Sequence, residues 1–331
     1  DLSESLAMAD FDCGIPLEPF PAAQKGTLIL HVNGPETAYS LRKLGLRRGR
    51  QWRVIGAWAW ELSAFPPGWD AAFPFISEIW ALSDFAAEAF RRHNSAPPVR
   101  VLPISISAPK ALVGTDSGAA ARPFTVIVMA DALSSFKRKN PVGAIQAFRA
   151  AFGDRADCRL IVKVRNLDAM PEEAVALHAA IAGADNIELI NKSLDTAQQW
   201  ALIARADVFL SLHRAEGFGL GPAEAMSLGI PVVATDWSGN LYYMNAETAA
   251  LIPCTFVPVP EDCIHYSVAG AVWAEPDAEA ASQWLQRLES DRELGRKFAT
   301  LAKLRVEEIC GAGRVQGLVT DLLKAVPAQR H

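Results

Sequence analysis

Asp207-Val-Phe-Leu-Ser-Leu-His213-Arg-Ala-Glu216-Gly-Phe-Gly-Leu-Gly-Pro222-Ala-Glu224-Ala-Met-Ser-Leu-Gly229-Ile-Pro-Val-Val-Ala-Thr235-Asp-Trp-Ser-Gly239-Asn240 reads as strand, glycine-rich loop, short helix and strand. Asp207–Leu212 is a short apolar run rich in β-formers, which predicts a buried parallel strand. Glycines at 217, 219 and 221 keep side chains off the chain and leave backbone N–H groups free to face a ligand. Pro222 suits the first helical position and Gly229 the position just past the helix end. Ile230–Thr235 is the second strand. A helix N-terminus at the carboxyl end of a parallel strand favours an anion through its exposed amides and the helix dipole. Two carboxylates bracket the loop, Glu216 before it and Glu224 in the first helical turn. A carboxylate offers acceptors only, so such a pair suits the adjacent hydroxyls of a sugar or ribose. Each also has a plainer use, Glu224 as a complement to the helix dipole and Glu216 as a solvated loop residue.

Working outward, the chain alternates strands with helices, the pattern of parallel α/β sheets with ligands at the carboxyl ends of the strands. In the first region the expected strands are Thr27–Val32, Trp52–Trp60, Glu78–Ser83 and Val99–Ile104. Helices are expected from Asn33-Gly-Pro35-Glu36 to about Leu44, over Trp69–Phe75, and from Asp84 to Arg92. Residues 1–25 lack periodicity and are expected to wrap over the surface. Ala108–Arg122, rich in Pro, Gly, Ser, Thr and Ala, reads as a linker. Beyond it come strands Phe124–Ala130, Arg159–Val164 and Ile187–Ile190, with helices opening at Asn140-Pro141, Pro171 and Thr196. After Asn240 the pattern thins until Asp277, where three helices close the chain.

At 331 residues the chain is long enough for two domains, each with its own core. A net charge of -5 argues against nucleic acid as a partner. The cysteines, at 13, 158, 254, 263 and 310, are odd in number and form no Cys-x-x-Cys pair. Reduced thiols in a cytoplasmic protein are the simplest reading. No apolar run reaches the roughly 18 residues of a membrane span.

The string Glu-x7-Glu, with Gly-Phe-Gly inside it and Pro-Val-Val-Ala-Thr after it, resembles the retaining nucleotide-sugar glycosyltransferases of family GT4. The resemblance implies a GT-B fold: two facing, doubly wound Rossmann-like α/β domains, here with a short N-terminal one. Residues 1–112 would bind the acceptor and 113–310 the nucleotide sugar, with 311–331 a helix that would cross back to the first domain. Carried over by position, Glu224 would hold the ribose hydroxyls and Glu216 would lie beside the donor sugar. The amides of Gly217, Phe218, Gly219 and Leu220 would meet sugar and diphosphate. A lysine of an Arg-Lys pair, here Arg138-Lys139, would face the diphosphate. Three cations beside a helix N-terminus, Lys137, Arg138 and Lys139, make sense when an anion lies between them. Where relatives carry a second cation after the preceding strand, this chain has Asp131, and Lys163 is the candidate substitute.

Glu216, Lys139 and Arg138 are therefore the expected catalytic group, with no metal and no cofactor beyond the nucleotide sugar (UDP-, GDP- or dTDP-linked). His31 and Asn33, at the end of the first strand, are candidate cleft residues, Asn33 standing where relatives often have a histidine. His213 is a further cleft candidate or a loop-orienting group. Five of the nine tryptophans fall between 52 and 80. Trp60 with Glu61 is a candidate acceptor site, since aromatic faces suit sugar CH surfaces, although core packing accounts for most tryptophans equally well. Arg42, Lys43, Arg47, Arg48, Arg50 and Arg53 form a basic run that is either a solvated face or a peripheral contact with an anionic membrane. The expected activity is transfer of a sugar to a saccharide or lipid-linked acceptor in polysaccharide or glycolipid synthesis. A non-catalytic sugar-nucleotide-binding scaffold is the alternative, and a GT-B epimerase a weaker one.

Overall fold

A computed structural model describes residues 6–9, 25–46, 51–112, 122–266 and 268–325. Its first sheet holds β1 (Leu6–Ala9), β2 (Lys25–Leu30), β3 (Gln51–Trp58), β4 (Glu78–Ala81) and β5 (Val99–Val101), all parallel and in sequence order. Leu6–Ala9 pairs with Thr27–Leu30, so part of the aperiodic N-terminal stretch is an edge strand and not surface wrapping. Four residues are too few to carry a periodic signal. Helices α1 (Gly34–Lys43) and α2 (Asp84–Arg91) and the 3-10 helix Trp69–Phe75 follow the expected turn chemistry. Ser83 caps α2 by accepting from the Ala86 N–H.

Side chains alternate across each strand. Leu28, Leu30, Val54, Ile79 and Ala81 join an aromatic layer with Trp58, Trp69 and Phe90. Ile29, Ile55 and Trp80, on the other face, pack against Leu322 and Leu323 near the end of the chain.

The second sheet contains β6 (Phe124–Asp131), β7 (Cys158–Arg165), β8 (Ile187–Asn191), β9 (Val208–Ser211), β10 (Val232–Thr235) and β11 (Ala250–Ile252). Its order is β11-β10-β9-β6-β7-β8, parallel throughout. The strand order reverses between β6 and β9, and the crevice at that reversal is where open α/β sheets bind ligands. Short helix α3 (Phe136–Lys139), then α4 (Pro141–Phe152), α5 (Pro171–Ile181), α6 (Thr196–Ile203) and α7 (Leu220–Leu228) link these strands. Asn140 caps α4 through the Gly143 N–H, and Asp195 with Gln198 forms a capping box on α6.

The patternless region after Asn240 contains an antiparallel hairpin, β12 (Cys254–Pro258) with β13 (Val272–Pro276). From it Cys263, Tyr266, Ala271 and Trp273 reach into the aromatic layer of the first unit. Helices α8 (Ala278–Ser290), α9 (Arg292–Cys310) and α10 (Ala312–Lys324) finish the chain. Arg53 fastens α10 to the first sheet: it donates to the carbonyls of Leu322 and Leu323, both at 2.8 Å, and pairs with Glu78. Cations at a helix C-terminus satisfy its last carbonyls. Arg53 thus leaves the basic run, whose members Arg47, Arg48 and Arg50 lie outside the described residues. Of the expected linker, 113–121 also lie outside them.

Candidate active site

The loops after β6 and β9 meet at the strand-order reversal. Arg138, on α3, is 1% exposed. Its Nη1 donates to the Ala215 carbonyl at 2.7 Å and to Glu216 Oε2 at 3.0 Å. Its Nη2 donates to the Ser134 carbonyl at 3.1 Å and lies 3.6 Å from Glu61. Lys139 Nζ takes the other Glu216 oxygen. Burial alone would raise the Glu216 pKa, but Lys139 and then Arg138 outweigh it and hold the carboxyl at about 2. Glu216, Arg138, Lys139 and Glu61 therefore form one charge cluster. Lys137 does not join it and pairs instead with Asp262 of the hairpin loop.

The glycine loop is held by backbone approach. A Cβ on Gly217 would lie 2.9 Å from the Trp60 carbonyl oxygen, and Ser83 Oγ donates to the Gly217 carbonyl at 2.6 Å. Both partners belong to the first unit, so the two halves of the chain meet at this loop. A Cβ on Gly239 would stand 2.2 Å from the Gly217 carbonyl oxygen, a position no side chain can share. Gly219 has φ +87 and caps α7, while the Tyr243 hydroxyl donates to its carbonyl. The N–H groups of Gly217, Phe218 and Gly219 donate to no group among the described residues. Phe218 itself is a core residue whose ring packs on Tyr243, so its backbone alone is available.

Four non-glycine residues have positive φ among the described residues: Ser135, Asn140, Asn166 and Ser238. All lie in loops at the carboxyl ends of second-sheet strands. Such strain gathers where a site is being shaped. Ser238 Oγ accepts the Glu216 N–H at 2.9 Å, which fixes the loop entrance.

Helix α7 starts at Leu220, earlier than expected, because left-handed Gly219 turns the chain into it. Pro222 is then the third helical residue, still among the positions that need no N–H partner. Glu224 falls in the second turn. It is 7% exposed, and its Oε2 accepts from Gln199 Nε2 at 2.9 Å. Burial pushes its pKa up to about 7, against a small opposing effect of Gln199. The two glutamates of the motif are thus shifted in opposite directions. A carboxyl raised in the fold loses stability as pH climbs from its unfolded value to its folded one. Glu224→Gln should therefore match the wild type near pH 4 and exceed it above pH 7 by about 2–3 kcal/mol. Denaturant melts at the two pH values check this, and equal differences at both would count against it.

Lys163, on β7, is 4% exposed and has no carboxylate within ion-pair distance among the described residues. Burial, then Arg165, lowers its pKa. Asp131 is held by Arg165 at 2.6 Å and Asn166 at 2.8 Å. Burial is the largest single influence on its carboxyl, but those two partners together win and lower its pKa. The acid at the second cation's place is thus neutralised by neighbours.

His213 is not a cleft residue. It is fully buried, with Nδ1 3.0 Å from Ser211 Oγ and Nε2 3.0 Å from Asn240 Oδ1. Desolvation lowers its pKa, and it orients the loop as a neutral ring. Trp60 is 5% exposed, donates to the Ala64 carbonyl at 2.7 Å, and packs on Trp69 and Tyr266. It is mainly core, with one edge on a cavity of about 410 Å³ that Glu61 and Asn33 also line. The Asn33 side chain accepts from the Ala59 N–H at 2.9 Å, tying two strand ends together. His31 is exposed and lines a separate, larger cavity.

Sequence reading missed Tyr266, whose ring lies 5.7 Å from the Arg138 guanidinium and which lines the smaller cavity with Glu61. It also missed Ser83 and Gln199, which reach the site from distant elements, and it gave no role to Ser238 within the stretch 207–240. The one Asp-x-Asp triplet, Asp10-Phe11-Asp12, lies outside the described residues. Asp157, Cys158 and Glu289 stand close enough to share an ion, but Arg155 bridges both acids and burial pushes the thiol up to about 11.

A family model described as Family 4 Glycosyltransferase in conflict systems matches residues 81–307. The chain belongs to this family. The matched stretch contains the whole second sheet and every member of the charge cluster except Glu61. Solved structures share the GT-B fold of this GT4-conflict chain. A TarM variant from S. aureus in complex with fondaparinux, α-GlcNAc-glycerol and UDP superposes with TM-score 0.62 at 12% identity, covering 91% of this chain and 55% of its own. Anabaena Alr3699/HepE with UDP and glucose gives 0.65 at 14%, covering 91% and 78%. The E. coli trehalose-6-phosphate protein bound with UDP-2-fluoro glucose gives 0.67 at 13%, covering 92% and 75%. The chain spans about half the length of TarM. No curated protein matches the sequence. Among the described residues no helix is long and apolar enough to cross a membrane.

Proposed function

We propose that this GT4-conflict chain is a retaining glycosyltransferase that moves a hexose from a nucleotide sugar to a hydroxyl of a saccharide or lipid-linked acceptor. The observation that carries the reading is the convergence of unpaired amides at Gly217–Gly219, Lys139, Arg138 and Glu216 at the reversal point of the second sheet. The acceptor oxygen bonds to the anomeric carbon as the carbon–oxygen bond to the diphosphate breaks. The nucleoside diphosphate leaves with the bonding pair, and the acceptor proton passes to one of its oxygens. Charge gathers on that diphosphate, where Lys139 and the loop amides stand ready without rearrangement. Lys163 supplies a further cation, and Arg138 holds Glu216 in place beside the sugar. Glu224 takes the ribose hydroxyls. UDP in the three structural neighbours makes a uridine donor the first to test, with GDP- and dTDP-sugars beside it.

Hydroxyls donating to Glu224 favour its charged form. Because burial holds this carboxyl at about 7, donor binding near pH 6.5 should release a fraction of a proton. Calorimetry in buffers of different ionisation heat reads that number directly. Glu224→Ala should abolish the release and weaken binding, and unchanged affinity would remove the assignment.

A second reading is a sugar-nucleotide-binding scaffold that transfers nothing. It is favoured by the double pairing of Glu216, which neutralises Lys139. Incubation with UDP-, GDP- and dTDP-sugars, with and without lipid extract, separates the two. Acceptor-dependent nucleotide release supports transfer; nucleotide binding without release supports the scaffold. Peripheral attachment to an anionic membrane through Arg42 and Lys43 belongs to the same proposal. Binding to anionic but not neutral vesicles, lost at high salt, is its expected result.

A further inference from the structure

Two cavities share wall residues at Asn33, Glu36 and Ala59, the last of which lies two residues before Glu61. The smaller, of about 410 Å³, is polar and lined by Asn33, Glu36, Glu61, His265 and Tyr266 among others. The larger, of about 860 Å³, lies between the carboxyl ends of β2–β5 and helix α10. Its walls are mostly apolar, with Ile29, Trp80, Leu102, Ile104, Val315 and Val319, while His31, Asn33, Glu36 and Ser105 give it a polar side. Through the shared residues the chambers adjoin along one strip of wall.

Both cavities open to the surface, and both fall within the range of about 300–1,000 Å³ of ligand pockets. The larger chamber exists because α10 crosses the first sheet at an offset. Its last turn packs on Ile29, Ile55 and Trp80, while Val315 and Val319, nearer its start, stand over open space. Trp80 is 1% exposed, and its indole N–H has no acceptor among the described residues. Water in this cavity would meet mostly apolar walls, and an apolar occupant would remove those walls from water.

The geometry points to an amphiphilic acceptor, with its hydroxyl-bearing head in the polar cavity at Glu61 and an apolar moiety in the chamber under α10. This rests on the transferase reading and narrows its acceptor. Glu61 stands 3.6 Å from Arg138, which holds Glu216, so a head bound at Glu61 lies next to the donor cluster. A purely polar saccharide would fill the smaller cavity and leave the larger one wet.

Methyl and n-octyl β-D-glucoside, each below its micellar concentration, are titrated calorimetrically into the full chain without donor. The octyl compound should bind at least ~100-fold more tightly, at roughly fourfold per buried methylene for part of the chain. Val319→Trp, inside the chamber, and Ser105→Trp, at its exposed rim, should erase that gain and leave the methyl compound's affinity unchanged. Glu61→Gln should weaken both glucosides by a similar factor, roughly tenfold. Equal affinity for the two glucosides overturns the inference. So does a folded tryptophan variant that keeps the full chain-length gain, or a Glu61→Gln protein that binds both as the wild type does. Because no donor is present, failure of sugar transfer and failure of this inference are read separately.

Discussion

Lys139→Ala should lower kcat for sugar transfer by about 10²–10³-fold while changing donor affinity far less. The reasoning starts from Glu216, which holds Lys139 on one oxygen and Arg138 on the other. Glu216 neutralises the ammonium, and its removal costs the fold little because Arg138 still compensates Glu216. When the diphosphate departs, a full negative charge develops beside the Gly217–Gly219 amides, and Lys139 is the partly exposed cation free to follow it. An interaction that strengthens only as the bond breaks acts on kcat and not on binding. Steady-state kinetics with a cognate donor checks this. A change confined to KM would assign Lys139 to ground-state binding instead. The melting midpoint of Lys139→Ala should remain close to that of the wild type.

Arg138→Leu should behave in the opposite way and fail as a folded protein first. The guanidinium is completely buried, donates to the Ala215 and Ser134 carbonyls, pairs with Glu216, and lies over the Tyr266 ring. Removing one member of a buried, hydrogen-bonded charge group leaves the rest unsatisfied, at about 3–5 kcal/mol. Arg138→Lys should not rescue it, since one ammonium cannot span the same acceptors. Urea melts followed by tryptophan fluorescence read the effect. A midpoint equal to wild type in Arg138→Leu would show that the cluster does not hold the two halves of the chain together. Acid should act in the same direction. The stabilising share of Glu216 is present above its unfolded value near 4.5 and is lost as pH falls towards about 2.

Much of this was legible in the residues. The strand–loop–helix–strand reading of 207–235 holds, because alternating apolar strands, glycines and a helix stop all point one way locally. Glu216, Arg138 and Lys139 come together because the loops after β6 and β9 flank a strand-order reversal, a consequence of topology that the βα alternation already implies. What stayed hidden is non-local. His213 looked accessible from its place beside the loop, but Ser211 and Asn240 enclose it. Arg53 looked like one charge in a surface run, until α10 arrived over its sheet. The β12–β13 hairpin has short strands and a long connection, so neither period nor turn chemistry announces it, and Tyr266 was lost with it. Glu224 lies in the second helical turn and not the first, because left-handed Gly219 starts the helix at Leu220, two residues before Pro222.

The central claim is that the diphosphate of a nucleotide sugar sits on the amides of Gly217–Gly219, with Lys139 over it and Glu224 under the ribose. A crystal structure of the full chain soaked with UDP tests this most directly. The account predicts phosphate density within hydrogen-bond distance of those amides and of Lys139, with ribose hydroxyls on Glu224. Well-ordered UDP bound away from this loop, with Glu216 still holding both cations, would contradict it.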